Sequence, residues 1–232
     1  MTTPRIWERE KTVVASFLSQ MVMQSSGVVM LFVLGGALGP EQYGVYSFLV
    51  VLQGIFIPVC SIGTGYNIVR LAARDGDVPR NSSVLLSCLA LVIGIGAVIS
   101  ILIASASTSL DEWFLKVNGA ARVLCVTAVL PALLAVEELL RQFYRARLRI
   151  ITSAVIDSVT AILVMVATWG VVWRGGALLE VGWVLVVTRV LGLFLQVGGL
   201  LARRELILPT ALLPMSQVQG MIRFGIPIVF IG

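Results

Sequence analysis

The sequence predicts an all-α fold: a polytopic membrane helix bundle with six complete transmembrane helices and the start of a seventh. Three observations carry this. Hydrophobic residues make up 58% of the 232 residues and charged residues only 12%, against roughly 25% charge in a water-soluble domain. Mean hydropathy is +1.00. The apolar residues gather in runs separated by short polar breaks, each run near the ~20 residues a helix needs to cross ~30 Å of hydrocarbon. Backbone groups in lipid must be satisfied within their own segment, so the runs read as helices. The alternating pattern of a membrane β-barrel is absent.

Taken in order, residues 1–12 form a mixed-charge N-terminal segment holding Arg5, Glu8, Arg9, Glu10 and Lys11, with Ile6 and Trp7 as an interfacial anchor. No small-residue cleavage site follows the first apolar run, so that run reads as a retained helix and not a signal peptide. The six spans fall at 13–34, 43–63, 84–104, 123–140, 150–173 and 177–201, which together make a transmembrane unit over residues 13–201. Residues 202–220 read as a cytoplasmic connector, and residues 221–232 as the start of a seventh helix. That last stretch reaches only about 18 Å at 1.5 Å per residue, too short to cross.

Charge placement sets the orientation. Thirteen of the seventeen Lys and Arg lie on one set of alternate loops: near residues 5–11, 70–80, 141–149 and 203–223. The other loops hold Lys116, Arg122 and Arg174, and Arg189 lies inside a span. The positive-inside rule then places the N-terminus in the cytoplasm, and Trp113, Trp169, Trp173 and Trp183 fall near the outer ends of spans, as in an aromatic belt. The net charge of +5 is thus a topology signal and not a nucleic-acid surface. Asn81-Ser82-Ser83 matches a glycosylation pattern, but lies on the cytoplasmic side by the same reasoning.

Several chemistries are excluded. The chain contains no His, which removes His-based acid/base catalysis, Ser-His triads and HExxH metal sites. Cys60, Cys88 and Cys125 each sit in an apolar stretch without CxxC spacing and read as small core residues. Asp75 and Asp77 are the only close pair of Asp residues, and they lie in an Arg-rich loop. No convergent catalytic set is visible, so the chain is expected not to be an enzyme and to need no metal or cofactor.

Some residues bear on packing. Gly96, Ser100, Ala104 and Thr108 recur at four-residue spacing, which lets helix backbones approach. Pro58 and Pro131 lie inside spans two and four and are expected to bend them. Residues 174–176 form a short turn, so spans five and six are expected to be antiparallel neighbours.

The candidate site residues are polar and deep. Arg189 lies twelve residues from either end of its span, where a charge costs roughly 2.5–3.5 kcal/mol and needs a partner or water. Asp157 is seven residues into span five, or about 10 Å deep at 1.5 Å per residue. Pairing between the two is one expectation, although their depths differ by almost ~10 Å; a purely structural ion pair is the alternative to a transport role. Gln20, Gln24, Gln53, Asn67 and Gln196 add neutral polar groups, which either line a cavity or clamp neighbouring helices. Glu137 and Glu138 stand four and three residues before Arg141 and read as salt bridges at the cytoplasmic end of span four.

Three stretches together carry a resemblance. LGPEQYGVY at 38–46, SIGTGYNIVR at 61–70 and MIRFGIPI at 221–228 resemble, in order and spacing, the first inter-helix loop, the end of the second helix and the opening of the seventh helix of bacterial polysaccharide flippases. These are members of the multidrug/oligosaccharidyl-lipid/polysaccharide exporter superfamily. The resemblance implies a MATE-like N-terminal lobe of a transporter in the bacterial inner membrane. Such a transporter moves a lipid-linked oligosaccharide to the outer leaflet by alternating access, between two six-helix lobes around an often cationic cavity. The implied partners are that substrate, the bilayer, and a missing C-terminal lobe or second chain. Arg70 matches the family's second-helix Arg, and a guanidinium offers phosphate a permanent charge and bidentate donors. The cavity candidates are therefore Arg70, Arg189, Asp157, Gln24, Gln53 and Asn67. The alternatives are half of a multidrug/cation antiporter of the same superfamily, which would prefer acidic cavity residues, and a non-transporting scaffold of a polysaccharide assembly complex.

Overall fold

The computed structural model describes residues 3–62, 64–72 and 78–202, with side chains placed for 13–62, 64–65, 67–69 and 82–202. Among them every regular element is helical. The sequence-predicted connector, the MIRFGIPI stretch and the side chain of Arg70 lie outside the described residues.

Helix α1 (Thr3–Ala37) runs without interruption from the charged N-terminal segment into the first span. It ends where Gly39 takes a φ of +73°, a backbone state open to glycine at little cost. Helix α2 (Gly39–Ser61) follows at once, with Pro40 in its first turn, where a missing N–H costs nothing, and Glu41 facing the positive end of the helix dipole. The motif at 38–46 is thus a tight helix–helix corner. Pro58 lies inside α2, and the helix ends three residues later at Ser61, followed by Ile62, whose φ is +38°. The expected continuation through Gly63 is replaced by a short separate helix, α3 (Thr64–Ala72), which packs against α6.

Helix α4 (Val78–Leu110) closes on a π-helical turn, Asp111–Leu115. The Asp111 carboxylate then accepts from the backbone N–H of Val117 and of Ala121, both at 3.3 Å, which satisfies donors at the start of α5 (Ala120–Thr127). Span four is two helices. Helix α5 stops before Ala128, and Pro131 opens the first turn of α6 (Leu130–Ala146). The expected bend at Pro131 is therefore a break, because proline's missing N–H is tolerated at a helix start and not in its interior. The turn at Gly175 (φ +74°) joins α7 (Ile150–Trp173) to α8 (Leu178–Ala202), and these pack side by side.

Among the described residues, six helical stretches are long and apolar enough to cross a membrane: Val13–Ala37, Gly39–Ser61, Ser82–Leu115, Ala120–Ala146, Ile150–Trp173 and Leu178–Ala202. These are the six runs expected from sequence: the first, third and fourth extend further, the second starts earlier and ends at Ser61 instead of Gly63, the fifth is unchanged and the sixth is shifted by one residue. Large apolar side chains such as Phe17, Phe32, Ile101 and Phe194 stand exposed along the outer surface, as do the four belt tryptophans. Cys125 is also exposed, while Cys60 and Cys88 are buried. The expected core role fails for Cys125 because it lies on the outward face of α5, across from buried Val123, Leu124 and Thr127.

Inside, two apolar clusters form. One gathers Cys60, Ile68, Leu85, Cys88, Leu139 and Phe143 around the α3, α4 and α6 contacts. The other gathers Leu34, Val45, Leu49, Leu124, Val164 and Val181 nearer the α1–α2 corner. Gly96 supports the first: a Cβ there would lie 2.6 Å from the Cβ of Ala132 on α6, so the small-residue spacing on α4 serves close helix contact.

Candidate functional site

Helices α6, α7 and α8 each carry polar residues on their facing sides. On α6 these are Glu137 and Arg141, spaced by four. On α7 they are Ser153, Asp157 and Thr160, and on α8 Arg189, Gly192 and Gln196. The inner wall is thus one stripe from each helix.

The charges pair in two sets. Arg141 grips Asp157 with a fork, Nε donating to Oδ2 at 2.9 Å and Nη2 to Oδ1 at 3.3 Å, while its Nη1 donates to Glu138. Asp157 also accepts from Ser153 Oγ at 3.3 Å and from Gln196 Nε2 at 3.4 Å. Separately, Arg189 Nη1 donates to Glu137 Oε2 at 3.0 Å. The expected Asp157–Arg189 pair does not form. Asp157 lies nearer the loop end of its helix than Arg189 does, and a guanidinium at its own depth, Arg141, takes it. Glu137 is corrected as well. Its partner is Arg189 across the bundle, and its side chain is only 4% exposed, whereas Glu138 at 36% keeps the expected i,i+3 bridge to Arg141.

Glu137, Arg141, Asp157, Thr160, Arg189 and Gln196 line a cleft of about 170 Å³. Met23, Ser26, Gly27 and Met30 enter it from α1, and Tyr46, Val50 and Gln53 from α2. A smaller opening of about 140 Å³, lined by Ser16, Gln20, Arg145 and Ser153, shares Arg141 and Asp157 with it. Two oxygens in the larger cleft accept no hydrogen bond from any described residue: Glu137 Oε1 and Gln196 Oε1. Gly192 lets α8 approach α7 closely, since a Cβ there would sit 2.9 Å from Thr160 Cγ2, 3.1 Å from Thr160 Oγ1 and 3.3 Å from Glu137 Oε1.

Of the residues singled out in the sequence, Asp157, Arg189 and Gln53 come together here. Gln24 is exposed and lines neither opening; the α1 stripe that faces inward is Met23, Ser26, Gly27 and Met30, and Gln24 turns out of it. Asn67 is buried on α3, which packs against α4 and α6, away from the cleft. Glu137, Arg141, Thr160 and Tyr46 join the site without having been singled out for it. Depth counting would have found the pairs. From their loop-side helix ends, Arg141 and Asp157 lie about 8 and 10 Å in, and Glu137 and Arg189 about 14 and 20 Å, gaps an arginine side chain spans.

Comparison with known proteins agrees with this architecture. The profile of the family described as polysaccharide biosynthesis protein matches residues 10–231. No curated protein gives a significant match. Among solved structures, a multidrug resistance MATE family transporter of the MOP superfamily, in an outward-facing conformation, superposes with a TM-score of 0.74 at 17% identity. The match covers 95% of this chain and 52% of that one. The two share a fold, and this chain spans about half the length of the transporter.

Proposed function

The chain belongs to the polysaccharide biosynthesis protein family, and from that premise we propose that it forms the N-terminal lobe of a flippase that carries a lipid-linked oligosaccharide across the membrane by alternating access. The observation that supports this most is a polar cleft of about 170 Å³ enclosed by apolar spans: a polar head group needs such a path while its lipid tail stays in the bilayer. The opposite wall of the path comes from a second lobe. Arg70 and Arg189 are proposed to act on the head group, Arg70 as a charge for phosphate. The membrane is the bacterial plasma membrane, with the N-terminus in the cytoplasm. A reporter fused after Pro209 is expected to read as cytoplasmic and one after Asp111 as periplasmic; swapped signals would reverse the orientation.

The test of function is complementation of a flippase-deficient strain by the full-length gene. Arg70→Ala should cut export while leaving membrane abundance intact, and Arg70→Lys should recover part of it, because charge remains and the bidentate fork is lost. Full export by a stable Arg70→Ala, Arg189→Ala double variant would reject the cationic-contact mechanism. A second reading is a multidrug/cation antiporter lobe. It draws on the buried carboxylates Glu137 and Asp157 in the cleft. Efflux of a cationic dye without complementation of export would favour it.

A further inference from the structure

Helix α6 turns into α7 through Arg147, Leu148 and Arg149. The Leu148 N–H donates to the Arg145 carbonyl at 3.0 Å, and the Arg149 N–H to the Tyr144 carbonyl at 2.8 Å, the two bonds that close a helix in a Schellman turn. Such a turn holds its closing residue at positive φ, a seat that glycine fills at little cost. Leu148 fills it here, with a φ of +55°, against a steric penalty for a bulky side chain. Packing within the chain does not offset that penalty, because Leu148 is 84% exposed. Ile151 and Val155 are exposed as well, and their four-residue spacing puts them on one face of α7. Apolar surface therefore runs from the turn onto the helix.

Two guanidiniums flank this leucine. The side chains of Arg145 and Arg147 have no hydrogen-bond or ion-pair partner among the described residues. The carboxylates around them are engaged by others. Arg145 shares the opening of about 140 Å³ with Arg141 and Asp157, and Arg141 holds Asp157. On its other flank it shares a second opening with Glu138, whose oxygens accept from Arg141 and Gln142. Over residues 138–157 the chain carries four arginines and two carboxylates. Residues 1–12 hold three cations and two acids, so they bring no excess of negative charge.

A small soluble anion would match the guanidiniums and leave Leu148 bare. A zwitterionic lipid would cover Leu148 and bring a cation of its own toward the arginines. An anionic phospholipid meets both needs: its phosphate oxygens accept from the guanidiniums, and an acyl chain lies along Leu148, Ile151 and Val155. We propose that the α6–α7 corner is a docking site for an anionic glycerophospholipid of the cytoplasmic leaflet, gripped by Arg145 and Arg147 and seated on Leu148. The site lies outside the cleft, and the inference does not depend on the flippase reading.

The test uses the 232-residue chain purified in detergent, with phosphatidylglycerol and phosphatidylcholine of matched acyl chains as probes and native mass spectrometry as the readout. Phosphatidylglycerol is expected to bind at least about tenfold more tightly, within what two arginines at a lipid surface supply, and saturating glycerol 3-phosphate should not displace it. Arg145→Gln, Arg147→Gln should lower the preference to about threefold or less. Arg203→Gln, Arg204→Gln removes as much positive charge elsewhere and should leave the preference in place. Leu148→Gly relieves the backbone and removes the apolar seat. Its thermal-unfolding midpoint should hold or rise while both lipids bind several-fold more weakly, a divergence that a merely structural turn residue would not produce. Equal binding of the two lipids by the wild-type chain, displacement by glycerol 3-phosphate, the same loss of preference from both arginine pairs, or undiminished lipid binding by Leu148→Gly would each overturn the inference.

Discussion

The two sides of α6 solve the same problem in opposite ways. One side presents Ala132, Ala135, Leu139 and Phe143 to the core shared with α4, at the three- and four-residue spacing that puts them in one stripe. The other presents Leu134, Glu137 and Arg141 to the cleft. In lipid the apolar side gains little from leaving its surroundings, since acyl chains are as apolar as leucine; its stability comes from fit, as where Gly96 admits Ala132. The cleft side gains from pairing, because each buried charge has a partner within 3.0 Å. Fit tolerates no added atoms, and pairing tolerates no removed ones.

Substitutions on the two sides should therefore fail for different reasons. The largest effect is expected for Arg189→Ala, which strands Glu137 at 4% exposure. The cost should be about 3–5 kcal/mol, read as a lowered thermal-unfolding midpoint in detergent. The reverse change, Glu137→Leu, should cost less, because Arg189 is 25% exposed and can turn into the cleft. The double change Glu137→Leu, Arg189→Met should restore most of the loss, and a wild-type midpoint for Arg189→Ala alone would show that pairing does not hold this side. On the apolar side, Gly96→Val pushes a Cβ to 2.6 Å from that of Ala132 and should cost about 1–3 kcal/mol. Adding Ala132→Gly should return part of that; no recovery would mean that strain arises elsewhere on α4. The smallest effect is expected for Glu138→Gln, whose side chain is 36% exposed. Its stability should change by less than about 1 kcal/mol, and a loss as large as that of Arg189→Ala would place Glu138 in the buried network.

The six spans were readable because insertion into lipid is decided segment by segment, so each apolar run declares itself. The break before Pro131 was half readable: proline announced a disturbance, but its position in the first turn of α6, and not mid-helix, depends on where α5 stops. Helix α3 escaped because its nine residues are too short and too polar to register as a span. At the site, Asp157 and Arg189 were readable as buried charges, whereas their partners were not. Local spacing tied Glu137 to Arg141 as a neighbour on one helix, and only the vertical alignment of α6 with α8 carries it to Arg189. Gln24 misled because neutral polarity inside a span marks no direction, and the inward stripe of α1 is one step around the helix, at Met23 and Gly27.

Ribosomes deliver α6 before α8, which gives the two ion pairs an order in time. Arg141 and Asp157 are sixteen positions apart and meet as soon as α7 emerges. Glu137 waits longer, since Arg189 follows 52 positions later, at the middle of the last described helix. Until then the nascent bundle carries an unmatched acid in the membrane, the kind of lesion that quality-control proteases detect. Chains halted between α7 and α8 are therefore expected to decay faster in a pulse-chase than chains halted after Ala202, with Glu137→Leu extending the life of the shorter product. The Glu137–Arg189 pair would thus act as a checkpoint in biogenesis, closing only when α8 has been laid against α6.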